Sequence, residues 1–228
     1  MPDDQWRAAA QTWALALKQL TATEEAARAW REERYKFAHR LGQALTAPLV
    51  RDGVGPIGPV LYGVWLNWGL LYVGQSDNTD SALRRLRDLP VGESHHLGNT
   101  FPPEIWDRIV VIPWTRLPEA KPFTVDRKRI SLGLEHRLQM WLRPLANSSR
   151  RTSGGAWRDV RWEDSRSVGA RVGAEIDGLF TAVQQLWIAA ARSPTEIRGD
   201  KCLVIFPGSL LDTPQGPGEQ ARSEAIGR

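Results

Sequence analysis

The sequence predicts an α+β fold: a small three-stranded antiparallel sheet flanked by helices, with helical additions on its N-terminal and C-terminal sides. Three patterns carry this reading. Two aromatic-rich apolar runs, Val60 to Leu66 and Leu70 to Gln75, are broken at Asn67-Trp68-Gly69, the signature of a hairpin with residues that tolerate tight turns. A third alternating stretch runs from Ile105 to Trp114. Around these strands, apolar residues recur at the three- and four-residue steps of helices.

The N-terminal helical region spans residues 5–46. Trp6, Ala10, Trp13, Leu17 and Leu20 form one stripe, and Ala27, Trp30, Phe37 and Leu41 a second, with Thr23-Glu24-Glu25 between them as a helix start. Tryptophans at such spacings read as core. The Gly- and Pro-rich stretch 51–59 is a connection into the hairpin. Within the hairpin, alternation puts Tyr62, Val64 and Leu66 on one face of the first strand and Leu70, Tyr72 and Gly74 on one face of the second. Ser76 to Ser81 offers N-caps for a short helix from Ala82 to Leu89, in which Ala82, Leu83, Leu86 and Leu89 share one arc. Arg85 borders that arc and is expected to be partly buried, whereas Arg84 and Arg87 face solvent.

Residues 90–104 read as a loop, and a second loop through Pro118 and Pro122 leads to a helix from Asp126 to Leu142. Leu134, Leu138, Trp141, Leu142 and Leu145 mark its buried stripe, with Glu135 at the edge. A carboxylate beside an apolar stripe needs a cation, a metal or water. Its neighbours one turn away are Ser131, Leu132, Leu138 and Gln139, none of them basic, which leaves Lys128 or a hydrogen bond to Gln139 as the ordinary alternatives. The run from Ser148 to Gly155 reads as a mobile basic loop able to grip a phosphate backbone through Arg150 and Arg151. A helix over Val168 to Ala191, a short strand at Leu203 to Phe206 and a disordered tail over 212–228 complete the chain.

Composition sets the class of partner. The chain has 228 residues, 42% hydrophobic and 25% charged, which is ordinary globular usage. Its single cysteine, Cys202, forms no internal disulfide, no apolar run is long enough for a membrane span, and the first residues lack a signal-peptide pattern, so a cytoplasmic protein is expected. The net charge of +4 is unevenly spread: between Lys121 and Arg171 there are twelve Lys and Arg against five Asp and Glu. This basic region points to a polyanion, with nucleic acid foremost.

The stretches Val60-Leu61-Tyr62 and Leu71-Tyr72-Val73-Gly74, the Arg85-Leu86 pair, Glu135, and Asn147 in Arg143-Pro144-Leu145-Ala146-Asn147 together resemble the GIY-YIG nuclease superfamily. The resemblance covers roughly residues 55–150. It implies a division into an N-terminal helical extension (1–54), a nuclease core (55–150), a C-terminal helical extension with a short strand (151–211) and a tail (212–228). Trp65 would leave too few residues for the loop before Tyr72, so Tyr62 is the first motif tyrosine.

The implied activity is metal-dependent endonucleolytic hydrolysis of double-stranded DNA, of restriction type, with a structure- or damage-directed repair nuclease and a catalytically inactive DNA-binding module as the alternatives. Phosphodiester hydrolysis needs a nucleophilic water, a cation against the phosphate, and fixed donors. The resemblance assigns Glu135 as the metal ligand, Tyr62 as general base or water positioner, Tyr72 as orienter of water and phosphate, Arg85 as a phosphate contact and Asn147 as support. Mg²⁺, with Mn²⁺ as substitute, suits a single carboxylate because it keeps several waters. A phenol acting as base at neutral pH requires a depressed pKa or a proton relay. Family members carry a His or Lys one turn after the arginine, where this chain has Leu89; His95 and His96 in the following loop are the substitutes, with His96 assigned the role. A single site cuts one strand per encounter, so a clean double-strand break calls for a homodimer or successive nicks.

Overall fold

The computed structural model describes residues 3–50, 58–77, 79–92, 97–123, 125–151, 157–159, 161 and 164–211. Two long helices open the chain, α1 (Asp3–Leu20) and α2 (Glu24–Val50). A hairpin of β1 (Val60–Leu66) and β2 (Gly69–Ser76) leads to α3 (Thr79–Val91), the short α4 (Leu97–Thr100) and β3 (Arg108–Ile112). Next come α5 (Arg127–Leu142), α6 (Leu145–Ser148), and a separate ribbon of β4 (Ser149–Arg151) and β5 (Trp157–Asp159). The last elements are α7 (Val168–Val172), α8 (Asp177–Arg192), β6 (Ile197–Arg198) and β7 (Leu203–Ile205).

The α+β class holds, but the main sheet has five strands rather than three, in the order β2-β1-β3-β7-β6 with every neighbouring pair antiparallel. β7 pairs with β3 through Ile109↔Ile205, Val110↔Val204 and Val111↔Leu203, and β6 pairs with β7. The strand expected at Leu203 to Phe206 is β7, but its partner β3 lies some 90 residues upstream, and β6, which pairs locally with β7, is too short at two residues to show an alternation. The segment expected as a C-terminal extension thus adds strands to the sheet that carries the hairpin.

Helices cover both faces of this sheet. On one, Phe37, Leu41 and Leu45 of α2 and Ala82, Leu86 and Leu89 of α3 pack with Val60, Tyr62, Val64, Leu66, Ile109 and Val111. On the other, Ile130, Leu134 and Leu138 of α5 and Leu179, Val183 and Trp187 of α8 pack with Leu61, Val73, Val110 and Val204. The predicted stripe Val172, Ile176, Leu179, Phe180, Val183 and Trp187 is buried throughout. Its helix is interrupted by a 3₁₀ turn over Gly173–Ile176, where Arg137 donates to the Gly173 carbonyl (3.0 Å) and pairs with Asp177. The N-terminal stripe departs from expectation: Trp13 is 56% exposed and Leu20 is also exposed, and among the described side chains none of α1 belongs to the buried core.

The terminal residues of α5 fix its length and therefore the position of Glu135. Asp126 caps the start, its carboxylate accepting from the Arg129 amide at 3.2 Å. At the other end Arg143 takes a left-handed conformation (φ 46°, ψ 59°) with its amide on the Gln139 carbonyl, and Pro144 prevents continuation. Gly133 allows α5 to close against α7, since a Cβ there would meet Val172 Cγ1 at 2.9 Å and Ile176 Cδ1 at 3.0 Å. The turn at Arg143 sends Leu145 into α6, so Leu145 leaves the predicted stripe, and Trp141 in the last turn is 40% exposed.

Candidate active site

Tyr62 occupies the middle of β1, paired with Gly74 of β2 on one side and Val111 of β3 on the other. Only 1% of its surface is exposed. The phenol fits there because Gly74 has no side chain: a Cβ would lie 2.5 Å from both Cζ and Oη of Tyr62 and 2.8 Å from Tyr72 Cε1. The glycine of the Tyr72-Val73-Gly74 motif is therefore a slot for the Tyr62 ring. Tyr72, half-buried on the edge strand, brings its ring centroid to 6.1 Å from that of Tyr62, and the Tyr62 hydroxyl donates to Tyr72.

The tyrosines share a face, as alternation requires, but Leu70 does not join them. A bulge opposite Val64 and Trp65 pairs Trp65 with Leu70 and Val64 with Tyr72, leaving Leu71 as the extra residue. Leu71 packs on the tyrosine face and Leu70 on the other. In the turn at Asn67-Trp68-Gly69 the positive φ falls on Gly69 (159°) and not on Asn67.

Arg85 on α3 is half-buried, with Arg84 and Arg87 exposed on the same helix. Glu135 on α5 is half-buried as well. Arg85 acts electrostatically on Tyr62, Tyr72 and Glu135, and Glu135 acts on both phenols, so the four side chains form one coupled group drawn from the hairpin, α3 and α5. Among the described residues no ion pair closes on Glu135. The two ordinary alternatives for it are not realised: Lys128 is not its partner, and the Gln139 amide donates to the Val73 carbonyl instead, at 3.3 Å.

Burial dominates the charge states. Desolvation raises the Glu135 carboxyl from 4.5 to about 7, with Arg85 opposing. It raises Tyr72 to about 12, reinforced by Glu135 and opposed by Arg85. Tyr62 is pushed well above 10 by desolvation and by Tyr72, again against Arg85. The depressed phenol pKa anticipated for a tyrosine base is therefore absent in the metal-free protein. Neutral phenols are hydrogen-bond donors and orienting groups.

Asn147 lies outside this group and acts on the strand that carries it. Its Oδ1 accepts from the Val73 amide at 2.8 Å and its Nδ2 donates to the Val73 carbonyl at 3.1 Å. β2 is an edge strand, so this side-chain amide completes the outward hydrogen bonds that another strand would have made. Arg150 and Arg151 follow in the β4–β5 ribbon, Arg150 facing Arg158 and Arg151 facing Trp157, so part of the expected mobile loop is paired backbone. The side chains of Arg150 and Arg151, together with His95, His96 and the tail 212–228, lie outside the described residues.

Among the described residues no group of three or more His, Cys, Asp or Glu side chains is arranged to hold a metal ion. Glu135, half-buried beside two phenols, is the carboxylate of this group that could hold a divalent cation, with water supplying most of the other ligands. Among the described residues no helix is long and apolar enough to cross a membrane. Comparison with family profiles, with curated proteins and with solved structures gave no match.

Sequence reasoning missed two contributors, Gly74 as the ring slot and Gln139 as a second amide on Val73. Gly74 stood in the motif without a physical role. Gln139 carried only a mild signal, an uncharged polar residue one turn beyond Glu135.

Proposed function

We propose that this chain is a metal-dependent DNA endonuclease of the GIY-YIG type. The observation that carries the reading is the convergence of Tyr62, Tyr72, Arg85 and Glu135, spread over 74 residues of sequence, into one electrostatically coupled group on a hairpin braced by Asn147. Two phenols, one guanidinium and one buried carboxylate are a set suited to a phosphodiester and a water.

Glu135 would hold a divalent cation, Mg²⁺ or Mn²⁺, which when bound supplies charge neutralisation at the scissile phosphate and its leaving oxygen. Arg85 binds the phosphate with a charge that no ion pair among the described residues neutralises. Tyr62 donates to Tyr72 and holds it in place, and Tyr72, half-buried and protonated, donates to the attacking water or a phosphate oxygen and holds the water in line. The proton released by the attacking water passes to a non-bridging phosphate oxygen or to bulk water, since neither neutral phenol retains it. Arg84 and Arg87 on α3 and the Arg150–Arg151 segment after Asn147 flank this group and supply backbone contacts to double-stranded DNA.

Supercoiled plasmid incubated with the purified protein and Mg²⁺ or Mn²⁺ tests the reading. Conversion to nicked or linear DNA is expected for wild type and its loss for Glu135→Ala. A wild-type protein that binds duplex but leaves it intact with either metal would establish the inactive DNA-binding alternative.

A further inference from the structure

We infer that Gln139 is a positioning residue that sets Glu135 against Tyr72 by docking α5 onto the edge strand. Gln139 is 7% exposed and its Nε2 donates to the Val73 carbonyl at 3.3 Å. That carbonyl already accepts from Asn147 at 3.1 Å, and the Val73 amide is satisfied by Asn147 at 2.8 Å. The Gln139 bond is thus not required to close the sheet edge, yet burying a glutamine gives up rotamer freedom and hydration. What the bond adds is register. Gln139 stands four residues after Glu135, on the same face of α5, and Val73 directly follows Tyr72.

Holding Gln139 on Val73 therefore helps to fix the height and rotation of α5 beside the strand whose Tyr72 feels the Glu135 charge. Leu134 and Leu138 bury against the same sheet, Ser131 accepts from Trp114 Nε1 at 3.0 Å, and Arg137 ties α5 to Gly173, whereas the bond from Gln139 runs from α5 to the strand that carries Tyr72. Glu135 has no ion pair of its own among the described residues to anchor it. The directional restraint comes from its neighbour, as with the outer groups that orient metal-ligating side chains.

The inference rests on the nuclease reading for its catalytic consequence, and its test separates the two. Gln139→Met keeps length and apolar bulk while removing the hydrogen bond; Gln139→Leu serves if the first variant does not fold. Electron paramagnetic resonance titration of the full chain with Mn²⁺ is expected to show about tenfold weaker binding in either variant, with Glu135→Ala as the zero. On plasmid, kcat at limiting Mg²⁺ should fall at least about tenfold with KM for DNA within about twofold, and excess Mg²⁺ should restore most of it. Because bound metal also stabilises the folded chain, urea unfolding in EDTA separates the two causes: a positioning loss leaves the unfolding midpoint near wild type, whereas damaged folding lowers it. Unchanged Mn²⁺ binding and kcat would overturn the role of Gln139 while leaving the nuclease intact. A wild type that does not cleave, but binds Mn²⁺ through Glu135 with the expected weakening in Gln139→Met, would overturn the nuclease and uphold the positioning. Absence of both cleavage and Glu135-dependent Mn²⁺ binding would overturn both.

Discussion

Replacing Glu135 by Gln should stabilise the metal-free protein, and do so only towards neutral and alkaline pH. Burial holds the Glu135 carboxyl at about 7 against 4.5 for an ordinary glutamate, with Arg85 recovering part of the cost. Between those two values the folded chain carries a proton that the unfolded chain has lost, so folded stability falls as pH rises through this window. At about 1.4 kcal/mol per pH unit the full penalty is about 3 kcal/mol, reached above about pH 8 and absent below about pH 4.5. Gln139 does not relieve it, since its amide is committed to Val73. Glutamine at 135 is a neutral isostere and carries no such dependence. Urea unfolding of both proteins in EDTA across pH 4.5–8.5 provides the assay; titration of every other group cancels in the difference. The expected gap is near zero at the acid end and about 3 kcal/mol in favour of Glu135→Gln at the alkaline end, and it should shrink when Mg²⁺ replaces EDTA. A gap that stays constant with pH, or favours wild type at pH 8, would mean that the native carboxylate is hydrated or paired, and the argument for a buried acid awaiting a cation would fail.

Two further outcomes follow from the geometry of the phenols. Gly74→Ala places a methyl 2.5 Å from the Tyr62 ring and 2.8 Å from that of Tyr72, so both rings must move; a loss of about 1–3 kcal/mol in stability and about 100-fold in cleavage is expected with duplex affinity kept. Wild-type kcat in that variant would show that the ring positions are immaterial. Tyr62→Phe retains the packing and removes one hydroxyl, and cleavage should drop by about 10²–10⁴ while filter binding of duplex stays near wild type. Because burial and Tyr72 push Tyr62 well above 10, the wild-type rate should show no ascending limb from that phenol between pH 6 and 9; an ionisation there that vanishes in Tyr62→Phe would restore the phenolate-base mechanism.

The sequence by itself determined what depends on the local period of the backbone. A period of two put Tyr62 and Tyr72 on one face, a period of 3.6 placed Arg85 at the margin of a buried arc and Glu135 at the edge of another, and Pro144 marked where α5 stops. Tertiary structure decided which surfaces meet. β7 was invisible as a partner of the hairpin sheet because its pairing with β3 spans some 90 residues, and β6 because it only extends β7; Trp13 and Leu20 of α1 stay exposed because periodicity shows that a face is apolar and not whether anything covers it. The same holds within the site. The Leu71 bulge, the Gly74 slot, the amides of Asn147 and Gln139 on Val73, and the raised pKa values of both phenols and Glu135 arise from contacts between segments far apart in the chain. Side-chain direction is a local property and can be read residue by residue; desolvation and close approach are properties of the assembled interior, where residues 62, 72, 85 and 135 first become neighbours.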